Sequence, residues 1–245
     1  TFSYNYNPDL GYIEQEPHAI NFTSFEDFYT ETRPFFINEN HVFYSPIHIF
    51  YSTRIGRNII YQDQIYRNYI NNAFKVIGDN NNGLHYGFLY ADSEFDIKNS
   101  IERDNNIKTM VGRLKKDIIG DNSYIGFMST FYEDFRNLSK IYALDGMFSL
   151  FDNKLKIDGQ TSVSVIDSLA NNEIAYSYDN GMAHSYEISY TDILDRVNNN
   201  FFHNSVFDVW VNYQKYDENF YINHMGYLKR NNYKSLNFGV AFTEE

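Results

Sequence analysis

The stretch that decides the fold is Lys154–Val165, K-L-K-I-D-G-Q-T-S-V-S-V. On one face of this stretch lie Leu155, Ile157, Val163 and Val165. Lysine, aspartate, glutamine and serine side chains occupy the other face. A period of two residues indicates a β-strand, because successive side chains of a strand point to opposite faces of the sheet. The stretch therefore predicts a long strand with one apolar and one polar face.

The same alternation recurs along the chain from about residue 71 onward. The clear runs are Leu84–Ala91, Met182–Tyr190, Phe207–Gln214 and Leu236–Phe242, and the weaker ones are Ile107–Asp117, Tyr124–Glu133 and Lys140–Phe151. Clusters of asparagine, aspartate and glycine separate them, and these residues tolerate the positive φ angles of tight turns. The shortest cluster, Asp152-Asn153, predicts a two-residue hairpin. The pattern predicts an all-β antiparallel meander of about eight or nine strands, each of about 9–12 residues.

Residues 1–70 have a different sequence pattern. They contain all four prolines of the chain and show no sustained alternation of apolar and polar residues. Ser24 and Asp27 form a pair that resembles a capping box, which predicts one short helix near Phe25–Tyr29. Short extended pieces are predicted at Phe2–Asn7 and His41–Tyr44. We expect residues 1–70 to be an irregular plug or periplasmic segment, and residues 71–245 to be strands of an incomplete β-barrel.

Composition excludes several classes of protein. The chain of 245 residues has no cysteine, which excludes disulfides, thiolate metal sites and thiol catalysis. Its net charge of −12 argues against a nucleic-acid partner. No nucleotide-binding, nucleophile-elbow or H-E-x-x-H motif occurs, so we expect no enzyme, no cofactor and no metal. No apolar run is long enough for a transmembrane helix, but transmembrane strands need only about 10 residues each.

The chemistry of the two strand faces indicates where the sheet lies. In a soluble sandwich the second face meets water and is rich in lysine, glutamate and threonine, whereas in a small membrane barrel it faces a crowded lumen. Here the second face is mostly glycine, alanine, serine, asparagine and aspartate, and the apolar face is rich in tyrosine and phenylalanine. This pattern favours a membrane barrel. A soluble all-β domain stays open, because tyrosine-rich faces also occur in sugar-binding sandwiches.

Several strings in the first 57 residues carry a family resemblance. They are N-P-D-L-G-Y-I-E-Q-E-P (Asn7–Pro17), I-N-F-T-S-F-E-D-F (Ile20–Phe28), T-R-P-F-F-I-N-E (Thr32–Glu39) and F-Y-S-T-R-I-G-R (Phe50–Arg57). Their order resembles a bacterial outer-membrane-type β-barrel family of unknown function, in which a family 9-like carbohydrate-binding domain usually precedes the barrel. The segments Tyr142–Gly146 and Gly226–Tyr233 agree with it. The chain departs from the pattern at Thr53, where the family usually has arginine, at Asn38–Asn40, and in lacking the carbohydrate-binding-like domain.

The resemblance assigns family-signature positions with a structural role and no chemistry. They are Asn7, Pro8, Asp9, Gly11, Glu14, Arg33, Pro34, Phe35, Phe36, Tyr51, Ser52, Arg54, Gly56 and Arg57. The resemblance further implies a non-catalytic protein of the outer membrane of Gram-negative bacteria, in contact with outer-membrane lipid and linked to the binding or passage of a glycan. The alternative is a soluble all-β carbohydrate-binding or adhesion module.

An open half-barrel leaves unpaired strand edges in lipid, where no water satisfies them. We therefore expect the chain to be a fragment, or to be completed by strands of a partner chain.

Acidic residues supply two candidate sites. Asp9, Glu14 and Glu16 could bind Ca²⁺ through hard oxygen ligands, although a turn that starts the barrel explains them as well. Glu26, Asp27 and Glu31 could include a carboxylate pair for glycoside hydrolysis. The competing interpretation is a charged, capped helix tied by Arg33.

Other side chains give weaker signals. Arg54 and Arg57 are expected to pair with a carboxylate of the lumen, either as a structural ion pair or as a plug contact. His41 and His48 are the only histidine pair with a weak metal signal. The tyrosine pairs Tyr4/Tyr6, Tyr66/Tyr69 and Tyr176/Tyr178 are candidates for sugar stacking, with packing as the alternative.

Overall fold

The computed structural model describes residues 1–6, 26–61, 64–95, 106–119, 122–170, 173–178, 180–194 and 205–244. The strands are β1 (Phe2–Tyr6), β2 (Ile59–Tyr61), β3 (Gln64–Tyr66), β4 (Asn68–Asn80), β5 (Leu84–Phe95), β6 (Asn106–Asp117), β7 (Tyr124–Glu133), β8 (Asn137–Leu150), β9 (Leu155–Ala170), β10 (Glu173–Ser177), β11 (Gly181–Leu194), β12 (Ser205–Tyr216) and β13 (Tyr233–Glu244). A single-turn helix, α1, spans Pro34–Ile37. Two short 3₁₀ turns follow at Asn40–Phe43 and Ser52–Arg54.

Eleven of these strands form one antiparallel sheet in the order β1-β4-β5-β6-β7-β8-β9-β11-β12-β13, with β10 paired to β9. From β4 onward, each long strand pairs with the next long strand of the chain, which confirms the predicted all-β meander. The strand count exceeds the prediction, because β1 and β10 add short strands to it. Within the described residues, β1 and β13 each have a neighbour on one side only, so the sheet is not closed into a barrel.

Two hairpins show how the turn residues act. Between β4 and β5, Gly83 adopts φ +70°, and the Asn80 side chain accepts hydrogen bonds from the backbone NH groups of Asn82 and Leu84. Between β8 and β9, the predicted two-residue hairpin at Asp152-Asn153 is wrong. Strand pairing ends at Leu150 and Leu155, so four residues form the connection, and three of them have positive φ.

The N-terminal segment also differs from the prediction. The short helix near Phe25–Tyr29 is wrong for its described part, since Glu26–Arg33 has no regular structure. The helix begins instead at Pro34, because proline is well suited to the first helical position and keeps the preceding Arg33 extended. Phe2–Tyr6 is a strand as predicted and pairs with β4. The extended piece predicted at His41–Tyr44 is mostly a 3₁₀ turn.

The hydrophobic core lies between one face of the sheet and two irregular segments. We call that face the inner face, residues 26–57 the inner segment, and residues 217–232 the β12–β13 loop. Sheet residues such as Ala73, Leu89 and Val111 are buried against side chains of the inner segment and of the loop. The buried residues of these two segments include Phe35, Phe36, Phe43, Ile47, Ile49, Ile55, Phe220, Ile222 and Met225. Among the described residues, no helix is long and apolar enough to cross a membrane.

Candidate functional site

The two faces of the sheet differ from those of a typical sheet in water, because the exposed face is apolar and the buried face combines the hydrophobic core with polar side chains. The outer face exposes large apolar side chains on nearly every main strand, among them Tyr4, Phe88, Leu114, Phe127, Leu144, Ile157, Ile188, Val211 and Phe238. Buried polar residues lie on the opposite, inner face, including Lys75, Thr109, Arg113, Asp145, Gln160, Ser162, Ser164 and Ser185. The inner face is therefore a mixed polar surface, and it is the candidate site of the molecule.

Polar side chains of the inner face form hydrogen bonds with the backbones of the inner segment and the β12–β13 loop. The ammonium group of Lys75 donates to the carbonyls of Phe35 at 2.6 Å and Asn38 at 2.5 Å. The amide of Gln160 accepts from Ile47 NH at 2.6 Å and donates to Ile47 CO at 3.3 Å. On the same strand, the hydroxyl of Ser164 accepts from the NH of Tyr221 in the β12–β13 loop at 3.1 Å.

A buried ion pair joins β6 to β8 across β7. Arg113 and Asp145 pair through the two terminal guanidinium nitrogens, Nη1 and Nη2, with Nη2–Oδ2 at 2.6 Å, and their side chains are 1% and 0% exposed. Gly126 lies between them, and a Cβ at this position would come within 2.8–2.9 Å of both groups. A glycine is thus required on β7 for the guanidinium to cross that strand. The Nε of Arg113 has no partner among the described residues.

The family-signature residues of the inner segment form two linked ion-pair clusters. Arg33 binds Glu31 at 2.7 Å, donates to the carbonyls of Ser52 and Ile55, and lies over the ring of Phe36 at 4.2 Å. Burial opposes the ionisation of Glu31, but hydrogen bonds and charge from Arg33 outweigh it and lower the pKa of this carboxyl. The cluster therefore fixes Ser52–Ile55 against the start of α1.

The second cluster is centred on Glu26. Arg54 binds both carboxylate oxygens at 2.6 and 2.8 Å, and Arg57 pairs with the same group. Burial raises the pKa of Glu26, but the two arginines prevail and lower it. The Nε of Arg54 also donates to Gly226 CO at 3.1 Å, which joins the inner segment to the β12–β13 loop. The partner of these arginines is thus a carboxylate of the segment itself, where the sequence had predicted one of the lumen.

Two further signature positions are explained by local geometry. Gly56 has φ +77°, and a Cβ there would lie 2.9 Å from Ile70. The hydroxyl of Tyr51 accepts from the NH of Tyr29 and donates to its carbonyl, both at 2.7 Å, and its ring stacks on Phe28 at 4.8 Å.

The remaining signature positions divide into two groups. Pro34 starts α1, Phe35 and Phe36 are buried in the core, and Ser52 offers its carbonyl to Arg33. Outside the described residues lie Asn7, Pro8, Asp9, Gly11 and Glu14, together with Glu16 of the proposed Ca²⁺ cluster.

The other sequence candidates are dispersed. Glu26 and Glu31 are each bound by different arginines. The pKa of His48 is lowered by burial, and within the described ranges no group of three potential metal ligands occurs. Tyr4 and Tyr6 project from the outer side of β1 and are exposed.

The sequence did not single out the inner-face residues that bind the two covering segments, nor the ion pair on β6 and β8. For Gln160 and Ser164 the available signal was their position on the polar side of an alternating strand. That signal marks a face and does not identify which of its residues contact the covering segments. Lys75, Arg113 and Asp145 gave no such signal, because their side of the strand also carries Ile77, Val111 and Ile141.

The comparison with known families assigns this chain to a group. A family described as a domain of unknown function, DUF5916, matches residues 1–244. The chain belongs to the DUF5916 family. The match confirms the resemblance to a domain of unknown function, while the outer-membrane barrel and the preceding carbohydrate-binding-like domain stay predictions. No curated protein and no solved structure matches the chain.

Proposed function

We propose that this DUF5916 chain forms part of the wall of a bacterial outer-membrane β-barrel, without catalysis, and that the inner segment and the β12–β13 loop plug its lumen. The observation that carries the proposal is the apolar character of the exposed outer face of the sheet. Phe238 is 78% exposed on β13, and equally apolar side chains cover the outer face as far as β1. Contiguous apolar surface of this extent is a liability in water and the normal state of a lipid-facing wall.

The borders of the apolar surface support the same proposal. At one end, the outward polar row on β5–β7 is Asp92, Lys108 and Glu133, and on β11–β13 it is His184, Lys215 and Lys234. The cross-strand pairs that start at Lys234 on β13 lead from strand to strand to Tyr86 on β5. Tyr86 lies six residues before Asp92, the residue that marks the border on β5. Six residues span about 20 Å along a strand, and the seven strand spacings from β13 to β5 span about 34 Å across the sheet. The border therefore deviates by about 30° from the perpendicular to the strands.

The opposite border slopes in the same sense. This border runs from Lys116 on β6 to Asp192 on β11. The cross-strand pairs that start at Lys116 lead to Tyr186 on β11, six residues before Asp192. Over four strand spacings this gives a slope of about 45°. On β11, eight residues separate His184 from Asp192, or about 26 Å along the strand and about 20 Å across a tilted band. Membrane barrels have strands tilted by about 35–45° and an apolar band about 25 Å tall.

The two sheet edges require further strands in this setting. β1 and β13 each present one unpaired side within the described residues, and lipid offers no hydrogen bonds to it. We propose that the remaining strands come from the same longer chain or from a partner chain. A polar lumen in a chain of net charge −12 suits neutral or cationic solutes, such as the glycans that the family resemblance implies.

Tryptophan placement tests the wall, because the chain has a single tryptophan. In a Trp210→Phe background, Phe238→Trp adds an outward tryptophan, and Asn237→Trp adds an inward one at the neighbouring position. In vesicles of brominated phosphatidylcholine, we expect strong quenching of the Phe238→Trp emission and little quenching of the Asn237→Trp emission. Aqueous iodide should give the reverse order.

A soluble module would give a different result in the same assay. Both tryptophans would then be quenched by iodide and neither by brominated lipid, and the protein would not float with the vesicles on a density gradient. A heat-dependent shift in gel mobility of the native, full-length protein provides an independent check for a closed barrel.

A further inference from the structure

Trp210, the only tryptophan of the chain, lies on the inner face of β12 and is 36% exposed. Its neighbours across the strands are Ser189 on β11 and Gly239 on β13. A Cβ on Gly239 would come within 2.5–2.7 Å of the indole atoms Cε2, Cζ2 and Nε1. The indole therefore lies across the glycine.

Neither packing nor lipid contact explains this position. Trp210 is not part of the buried core in which inner-face side chains such as Leu89 and Met128 pack with the inner segment and the β12–β13 loop. A tryptophan that anchors a barrel in the membrane interface faces outward, toward the head groups. Trp210 faces the other way, toward the region that the proposed function assigns to the lumen.

A polar row lies beside the indole. Two residues along the strands, about 7 Å away, Glu187, Asn212 and Asn237 are directly opposite one another on β11, β12 and β13. The amide of Asn212 donates to Glu187 Oε2 at 3.2 Å. The row presents both hydrogen-bond donors and acceptors, since an asparagine amide has both and a carboxylate only accepts.

We propose that Trp210 and this row form a saccharide-binding subsite of the lumen. A sugar ring has a C–H face that stacks on an indole, and hydroxyl groups at its edge that both donate and accept. The indole of Trp210 forms the stacking surface, and Gly239 has no side chain that would lift the indole from the sheet. Glu187, Asn212 and Asn237 form hydrogen bonds with the hydroxyl groups of the sugar. An organic cation would use the indole and the carboxylate but would leave the amide donors of the row unused. The subsite rests on the proposed function only in assigning the inner face to a lumen.

The fluorescence of Trp210 itself reports whether a saccharide binds at the subsite. We would titrate the full chain, in detergent and in vesicles, with maltotetraose, cellotetraose and N,N′,N″-triacetylchitotriose up to about 100 mM, and follow Trp210 emission. We expect a saturable change with at least one saccharide. Gly239→Ala lifts the ring from the sheet and Asn212→Ala removes hydroxyl partners, and each should weaken binding by about fivefold to tenfold.

A matched control exists on the outer face. Tyr186 lies over Gly159 as Trp210 lies over Gly239, with a Cβ on Gly159 only 2.3 Å from the tyrosine ring. Gly159→Ala should therefore leave saccharide affinity unchanged. Far-UV circular dichroism of each variant confirms that its strands are intact.

Three outcomes would overturn the subsite. They are the absence of a saturable change with all three saccharides, saturation by tetramethylammonium with no response to saccharides, and unaltered saccharide affinity in both Gly239→Ala and Asn212→Ala. Failure of the proposed wall is recognised separately. Saccharide binding at Trp210 combined with no quenching of the Phe238→Trp variant by brominated lipid would keep the subsite and reject the membrane setting.

Discussion

Removing one partner of the ion pair between Arg113 and Asp145 is the sharpest test of the covered inner face. Asp145 binds both terminal nitrogens of the Arg113 guanidinium, and the two side chains are 1% and 0% exposed, so water cannot replace the lost partner. Breaking such a pair costs about 3–5 kcal/mol. With a denaturant slope of about 2 kcal/mol per M, Asp145→Asn should lower the urea midpoint by about 1.5–2.5 M.

The assay is equilibrium unfolding of the refolded chain in detergent micelles, followed by the emission of Trp210. The double variant Arg113→Met/Asp145→Leu replaces the pair by apolar side chains of similar size and should recover most of the lost free energy. Glu133→Gln is the control, because the pair of Glu133 with Lys108 is long at 3.9 Å and half exposed. It should change the free energy by less than about 1 kcal/mol. A cost below about 1 kcal/mol for Asp145→Asn would mean that water reaches the pair, and would refute the covered face.

Other changes probe the inner segment. Gly56→Ala should cost about 1–2 kcal/mol in urea unfolding, since φ +77° is strained for alanine and the methyl group meets Ile70. Lys75→Met removes the ammonium that binds the Phe35 carbonyl and should speed trypsin cleavage of the inner segment several-fold without altering far-UV circular dichroism. Lowering the pH should also detach the inner segment from the sheet. Because arginines lower the pKa of Glu26 below 4.5, its contribution to stability is complete above pH 4.5 and is lost as pH falls through the lower folded pKa. Pepsin sensitivity between pH 5 and pH 2 would record this loss, and Glu26→Gln should be sensitive at every pH.

The extent to which the sequence predicts the fold depends on the range of the interactions that decide each element. The alternation in Lys154–Val165 is a local property, and the structure places all of this stretch except Lys154 within β9, with Gln160 and Ser162 inward and Ile157 outward. The turn between β8 and β9 was mispredicted because its length follows from where the ladder ends, at Leu150 and Leu155. Local propensity favoured two residues, and pairing across the strands allowed four.

The inner segment shows the complementary failure. Its helix was predicted at Phe25–Tyr29 from a capping pair, but Glu26 is engaged by Arg54 and Arg57, about 30 residues away. The pairing of Lys75 with the Phe35 carbonyl likewise joins residues 40 positions apart. Neither contact leaves a periodic trace in the sequence, because each depends on how the segment lies on the sheet.

The environment of the apolar outer face decides which residues stabilise the fold. In water, an apolar face drives association, whereas a lipid environment gives no such gain to outward residues such as Phe238 and Val240. In a lipid environment, stability would come from the ladder hydrogen bonds and from the inner face, which buries the apolar core together with Lys75, Gln160 and the pair of Arg113 and Asp145. Inner-face substitutions should therefore cost more free energy in micelles than outward apolar exchanges such as Val240→Leu. Urea unfolding of Asp145→Asn and Val240→Leu in the same micelles tests this order, and a cost of Val240→Leu equal to that of Asp145→Asn would contradict it.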